Sequence, residues 1–583
     1  MTGGLYRSAH AARDGDPSPP DGVPLISVDE QLPGAAAAED QALPPADTST
    51  GGTAGQSAIM AAGSLVSRLI GFVRNALIGM TLGATIGNAY TSAQFLPGQI
   101  YELLLGGILS SVLVPLLVRR RKADPDGGQA YTQKLLTFAI VGLGAATVLM
   151  VAAAPLITAL QAAQATEQYQ HLVTLFAYLM LPIVFFTGLS ALFGAVLNVR
   201  GHFAAPMWAP ILNNLVVIAT CGVFIAVFGT AKGMTPETMT PGAVLLIGGG
   251  TLLGMVAQAA GLLPALRRVG FAWGWRWDPH GLGLREIGRL AGWMLCYVAA
   301  NQVAVFVVVN MLNGVADDGR HAGVLIFNNV FLLTMMAHGI IGVSVMTALL
   351  PKMSAAAADG RYADVSADLS RGIRLTATAL APIAVAYGVL AAPIAVTLFQ
   401  GGRFTSQMAG ATAGVLVVGA FAVLPLSISY LCTYTFYALQ GNKIAALINL
   451  PVVGVRIGAY VVLAAVLSDA LVAAGMTAGN ALSYVVSALL SLTVLRRRIG
   501  RLNLASVAAA LAKVMVAAAI AAVLGAVAVR LLPGGDTPDR PAAVLQLAVG
   551  GIVIIIGYLG AAAALRVREV RQVAGMVRRK LRR

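Results

Sequence analysis

Two arginines six residues apart, Arg68 and Arg74, stand inside the apolar stretch SLVSRLIGFVRNALIG. A guanidinium is a planar fork that donates paired, charge-assisted hydrogen bonds, and phosphate and carboxylate oxygens fit it. Placing that charge in hydrocarbon costs about 2.5–3.5 kcal/mol on insertion scales, so an arginine kept there points to a polar cavity or an anionic ligand. On a helix, six residues rotate about 600°, leaving the two side chains some 120° and about 9 Å apart, so only a wide hydrated cavity would receive both. Gly71 between them permits a bend. Arg456 is a further embedded cation, and Glu102 suits either pairing with an arginine or carrying a proton. Lys513 is close enough to a helix end to snorkel. Asn75, Asn88, Asn213, Asn214, Asn301, Gln302, Asn310, Asn328 and Asn329 add uncharged donors and acceptors that serve a polar ligand or cross-link helices. The candidate binding set is Arg68, Arg74, Asn75, Asn88, Glu102, Asn328, Asn329 and Arg456.

Other chemistries lack their residues. The six histidines are scattered without metal-ligand spacing, and there is no phosphate-cradling Gly-Lys-Ser/Thr loop. Cys221, Cys296 and Cys432 sit in apolar segments and read as small buried hydrophobes. No cofactor, metal or catalytic function is expected. Work would come from an ion, a membrane potential or a substrate gradient.

The elements holding these residues follow from composition. The 583 residues are 58% hydrophobic and 11% charged, with a mean hydropathy of +0.80. A helix of about 20 apolar residues spans the ~30 Å hydrocarbon layer, and such stretches recur from 57–82 and 88–118 through 541–565. The expected fold is an all-α polytopic membrane protein of about fourteen helices. Residues 1–55 are rich in Pro, Gly and Asp and read as a disordered tail. Residues 268–288 read as a linker and 566–583 as a basic tail, RVREVRQVAGMVRRKLRR with its preceding helix end.

The net charge of +15 would suit nucleic acid if spread at random, but its placement answers otherwise. Basic residues gather in alternate connections: Arg119 to Lys122, Arg267 to Arg289, Lys352 to Arg374, Arg496 to Arg501 and the C-terminal tail. The intervening connections hold Lys232, Arg320, Arg403, Arg530 and Arg540. Cytoplasmic loops retain Lys and Arg, so both termini are expected in the cytoplasm of a plasma-membrane protein, the tail resting on anionic phospholipid. GGILSSVLVP, ending at Pro115, faintly echoes GIIGVSVMTALLP, ending at Pro351, as parallel repeated halves would. The spacing of Gly79, Gly83 and Gly87 favours close helix packing.

Several ordered segments are more specific. SLVSRLIGFVRNALIG at 64–79, FLPGQIYELLLGGILSSVLVPLLVRRRK at 95–122, LNVRGHFAAPMWAPILNN at 197–214, GVSVMTALLPKMS at 342–354, LFQGGRFT at 398–405 and FYALQGNK at 436–443 resemble successive signatures of the MurJ/MviN family of lipid II flippases, in its actinobacterial form. The resemblance implies two six-helix lobes (56–267 and 289–501) around a central cavity, and two additional helices (502–565) forming a groove for a prenyl tail. It also implies a substrate, the undecaprenyl-pyrophosphate-linked precursor of peptidoglycan, whose pyrophosphate Arg68 and Arg74 would meet. The chain departs from the family pattern at Asn88, Tyr101, Glu102 and Gly106, and around NNVFL, where a family arginine is missing near Leu332. Its cavity is therefore expected to be less cationic. The competing readings are an exporter of another polyprenyl-pyrophosphate glycan, a cation-coupled drug antiporter, a scaffold that recruits cell-wall synthesis proteins, and a membrane glycosyltransferase. The antiporter is disfavoured because Glu102 is the one clear embedded carboxylate, and the glycosyltransferase because no catalytic loop is evident.

Overall fold

The computed structural model describes residues 53–103, 113–231, 233–282, 284–316, 323–500, 502–535 and 537–570. The tail before residue 53, the basic tail from residue 571, Gly106, Lys232 and Arg320 lie outside the described residues.

The first helices are α1 (Thr53–Tyr101), α2 (Val114–Ala123), α3 (Gln129–Ala152), α4 (Ala154–Gln161), α5 (Glu167–Met180), α6 (Ile183–Val199), α7 (Ala204–Phe228), α8 (Pro241–Gly261) and α9 (Leu263–Arg268). They are followed by α10 (Leu284–Ala316), α11 (Val324–Ala337), α12 (Val343–Ala358), α13 (Tyr362–Val389), α14 (Ala391–Phe399), α15 (Ser406–Ala438), α16 (Asn442–Val466), α17 (Asp469–Ile499), α18 (Leu504–Leu531) and α19 (Arg540–Ala564). The interruptions α3/α4, α5/α6, α8/α9 and α13/α14 fall beside Pro155, Pro182, Pro264 and Pro393, whose missing N–H breaks the helical ladder. Side-chain oxygens of Thr240, Thr405 and Asp539 cap α8, α15 and α19 by accepting from the N–H of Ala243, Met408 and Ala542.

Thirteen helices among the described residues are long and apolar enough to cross a membrane. The first, Val66–Tyr101, runs through Gly83, whose φ of 76° and ψ of −159° are not helical. At 1.5 Å per residue it would be about 54 Å long, nearly twice the hydrocarbon layer, so it is two crossings meeting at Gly83. The count of about fourteen therefore stands. The sequence reading put a connection at 83–87, but the chain turns at one glycine. Met80 and Thr81, whose carbonyls the break frees, accept from the N–H of Arg403 (2.7 Å) and Ala231 (3.1 Å). α10 starts inside the expected linker, and α13 begins twelve residues before the apolar stretch expected from 374, because its first turns pack through Val365 and Leu369.

Two lobes follow from how the apolar side chains cluster. One set of cores, centred on Phe176 and Phe224 and on Leu136 and Leu197, draws only on residues up to 282. The other set, centred on Leu416 and Phe399 and on Leu369 and Phe436, is built from α10 to α19, with Ala76 of α1 as the one fully buried visitor. The closely packed helix pairs across this division are α1 with α10, α11 and α14, and α4 with α10. α18 and α19 pack on α13 and α14, so they belong to the second lobe. The Tyr558 hydroxyl donates to Thr378 O (2.8 Å), and Arg374 pairs with Glu569 (2.9 Å), fixing the end of α19 to that lobe.

Candidate functional site

The bundle has two unlike ends. Arg119 to Lys122, Arg267, Arg268, Arg361 and Arg496 to Arg498 lie at one, called here the basic end; Gly83, Gln161, Asn313 and Arg403 lie at the other. The lobes are sealed at the far end. Asn313, fully buried in α10, accepts from Ser92 Oγ (2.6 Å) and the Tyr169 hydroxyl (3.0 Å) and donates to Gln161 O (3.1 Å). A Cβ on Gly79 would crowd Phe404 (3.0 Å) and one on Gly87 would crowd Leu325 (2.8 Å), so these two glycines admit side chains of the second lobe. Asn88 Oδ1 accepts the Leu325 N–H at 3.0 Å. Leu325 is the second residue of α11, whose own N-cap, Gly323, offers no side chain. Asn88 thus caps a helix of the opposite lobe.

Arg68 makes a further contact across the seam, on the basic-end side of Gly83. Its guanidinium lies where a Cβ on Gly339 would be, so a side chain there would displace it. Gly339 belongs to the π-helical turn His338–Gly342 that separates α11 from α12. An inserted π turn rotates the helix face and is common at functional positions. Buried His338 faces Arg68, shares a 2.9 Å hydrogen bond with Ser427 Oγ, and rests 4.8 Å from the Tyr430 ring. Ser427 donates to Val423 O (3.1 Å), so its oxygen accepts from His338 Nδ1–H. Fifteen residues separate Arg68 from Gly83, about 22 Å of helix, so this contact sits near mid-bundle. The closely packed cross-lobe helix pairs among the described residues all run through α1 or α4.

The other candidates do not converge there. Arg74 turns into the first lobe toward Tyr90 and Cys221, its Nη2 donating to Asn75 Oδ1 (3.3 Å), while its buried Nε has no protein partner. The 120° that six helical residues impose therefore separates the two arginines rather than joining them. Arg456 lies in the second lobe, donating from Nε to Ser483 Oγ (3.0 Å) and from Nη1 to Asn301 Oδ1 (3.3 Å), above the Tyr484 ring. It ties α16 to α17 and α10. Asn329 is fully buried in α11 with both amide atoms unpartnered, whereas neighbouring Asn328 is half-buried. Glu102 is half-buried at the end of α1. Sequence reasoning passed over His338 and Ser427. Gly339 and Gly342 beside His338 were the available signal, but a π turn has no residue signature.

The sequence profile described as "Lipid II flippase MurJ" matches residues 78–535. The chain belongs to the MurJ family. Its similar relatives include the lipid II flippase MurJ of Burkholderia cenocepacia, 27% identical over 385 residues, which are 65% of this chain and 72% of the relative. The probable lipid II flippase MurJ of Bdellovibrio bacteriovorus is 24% identical over 450 residues, 75% of this chain and 81% of its own. Among solved structures, a lipid II flippase MurJ in an inward closed conformation superposes with a TM-score of 0.69 at 16% identity, covering 87% of this chain and 99% of that one. An inward-facing multidrug resistance MATE family transporter gives 0.60 at 17% identity over 74% and 94%. The MurJ fold expected from the six ordered segments is thus present, and the MATE transporter shares that fold.

Proposed function

We propose that the chain carries lipid II from the inner to the outer leaflet of the plasma membrane by alternating access, with the basic end in the cytoplasm. The observation that carries this reading is Arg68, an embedded guanidinium set against the second lobe's π turn at Gly339, on the basic-end side of the far-end seal. A pyrophosphate entering from the basic end meets a guanidinium held at mid-bundle, where low dielectric strengthens the paired hydrogen bonds. His338 and Ser427 position the π turn against which Arg68 lies. Export then requires the far-end seal of Asn88, Ser92, Asn313 and Arg403 to part while the basic halves close, presenting the headgroup outside as the prenyl chain stays in lipid. Basic residues retained at one end, as cytoplasmic loops do, support the orientation. Arg74, Asn75 and Arg456 shape charge inside the lobes rather than gripping the ligand in this state.

The test is a depletion strain in which lipid II is quantified on each leaflet. Arg68→Ala is expected to insert normally, fail to support growth and leave lipid II on the cytoplasmic leaflet, and Arg68→Lys to recover only part of the loss because a point charge cannot form the fork. Full complementation by Arg68→Ala would remove the assignment, and unchanged lipid II exposure on depletion would favour another polyprenyl glycan or a scaffold.

A further inference from the structure

Three of the five tryptophans fall within five residues, in FAWGWRWDPHG after α9. Trp273, Trp275 and Trp277 are 47%, 61% and 54% exposed. The segment is neither helix nor strand, and its backbone is bound to the first turns of α3: Gln133 Nε2 donates to Ala272 O (2.7 Å), and the Arg276 N–H donates to Thr137 Oγ1 (3.1 Å). Gly274 presses on the Gln133 amide, where a Cβ would approach to 3.0 Å. Lys134 pairs with Asp278 (2.7 Å), and the Tyr131 hydroxyl donates to Leu282 O (3.2 Å). With the backbone of 272, 274 and 276 held to α3, the three indoles between and beyond them stay about half exposed. Trp273 meets the Phe193 ring edge-on at 6.4 Å and Trp277 lies 6.2 Å from Phe138, so the rings are propped upright rather than collapsed into a core.

We propose that this run is a lipid-interface anchor: the three indoles enter the headgroup boundary of the leaflet at the basic end and fix the inter-lobe connection, with the first lobe, at that depth. Depth and charge both favour this occupant. Phe193 is six residues from the end of the span that closes at Val199, about 9 Å along the helix, and interfacial side chains settle about 5–10 Å below the headgroup boundary. Indole is suited to that layer because it has an apolar body and one N–H donor. Exposed Arg267, Arg268 and Arg276 flank the run and complement anionic headgroups. Because the side-chain hydrogen bonds that tie residues 272–282 to other elements go to α3, the connection moves with the first lobe, and rocking is taken up where α10 begins.

The test uses the full chain in nanodiscs of mixed phosphatidylcholine and phosphatidylglycerol. Trp208→Phe with Trp293→Phe leaves only the three indoles to emit. Lipids brominated just below the glycerol are expected to quench most of that emission, lipids brominated near the chain ends less, and aqueous iodide little. Iodide quenching without bromolipid quenching would place the indoles in water and overturn the proposal, as would stronger quenching by deep than by shallow bromines. Should the double variant fail to assemble, the emission difference between the parent and Trp273→Phe/Trp275→Phe/Trp277→Phe carries the same readout.

Discussion

Asn88→Ala is expected to loosen the far-end seal without unfolding either lobe. Asn88 is 2% exposed, and its oxygen is the described side-chain cap on α11, reaching across from the other lobe. Losing a buried acceptor leaves the Leu325 N–H unsatisfied, which costs about 1–3 kcal/mol, overlapping the roughly 0.5–2 kcal/mol for losing a helix N-cap. The bond joins the lobes, so the cost falls on the sealed state and raises the ratio of far-end-open to sealed molecules about 5- to 150-fold. A thiol in the seam reads that ratio. With Cys221, Cys296 and Cys432 replaced by Ala, Ala84→Cys puts it where α1 packs on the second-lobe core. Its modification rate by a hydrophilic maleimide in nanodiscs should rise with Asn88→Ala by up to that factor. Asn88→Asp retains the acceptor, adds a negative charge at a helix N-terminus, and should react no faster than the parent. An unchanged rate in well-assembled Asn88→Ala would refute the trans-capping argument.

Asn329→Leu should raise thermal stability by about 1–3 kcal/mol, since it removes two buried unpartnered polar atoms from α11; a lower melting temperature in differential scanning fluorimetry would mean the amide has a partner in the membrane. Arg456→Ala should lower Tm by removing two charge-assisted hydrogen bonds worth about 1.5–3 kcal/mol each at most, and Arg456→Lys should fail to restore it. Parent-like melting of both variants would show that the guanidinium does not brace α10, α16 and α17. At the basic end, the Lys134 ammonium hydrogen-bonded to Asp278, with the Gly281 N–H, holds the Asp278 carboxyl below its ordinary value. A depressed folded-state value gives stabilisation that is present at neutral pH and lost as pH falls through it. Hydrogen-exchange protection of the Arg276 N–H should therefore decline only below the usual carboxylate range, and Lys134→Met should abolish that acid step.

Some of this was legible in the residues themselves. The break after the first apolar run was expected at 83–87, but not its tightness, because one glycine can reverse the chain only if its freed carbonyls find donors, and those come from Arg403 and Ala231, distant in sequence. The packing role of Gly79 and Gly87 was legible, since small residues at helical spacing admit a neighbour whatever it is. Asn88 and Arg456 were expected among the ligand contacts; here their side chains are held by protein groups, Asn88 by the Leu325 N–H and Arg456 by Ser483 and Asn301.

The sequence by itself determined the number of crossings, which end is basic and the MurJ family, because insertion depends on a segment's own apolar length and charge, and the family motifs are local runs. Tertiary structure alone decided what each embedded polar group faces. Arg68 and Arg74 share one helix and six residues of spacing, but the fixed 100° per residue turns one to the seam and the other into the first lobe. Which neighbour waits on each side depends on the packing of helices hundreds of residues away, and on a π turn at His338–Gly342 that only those neighbours hold in place.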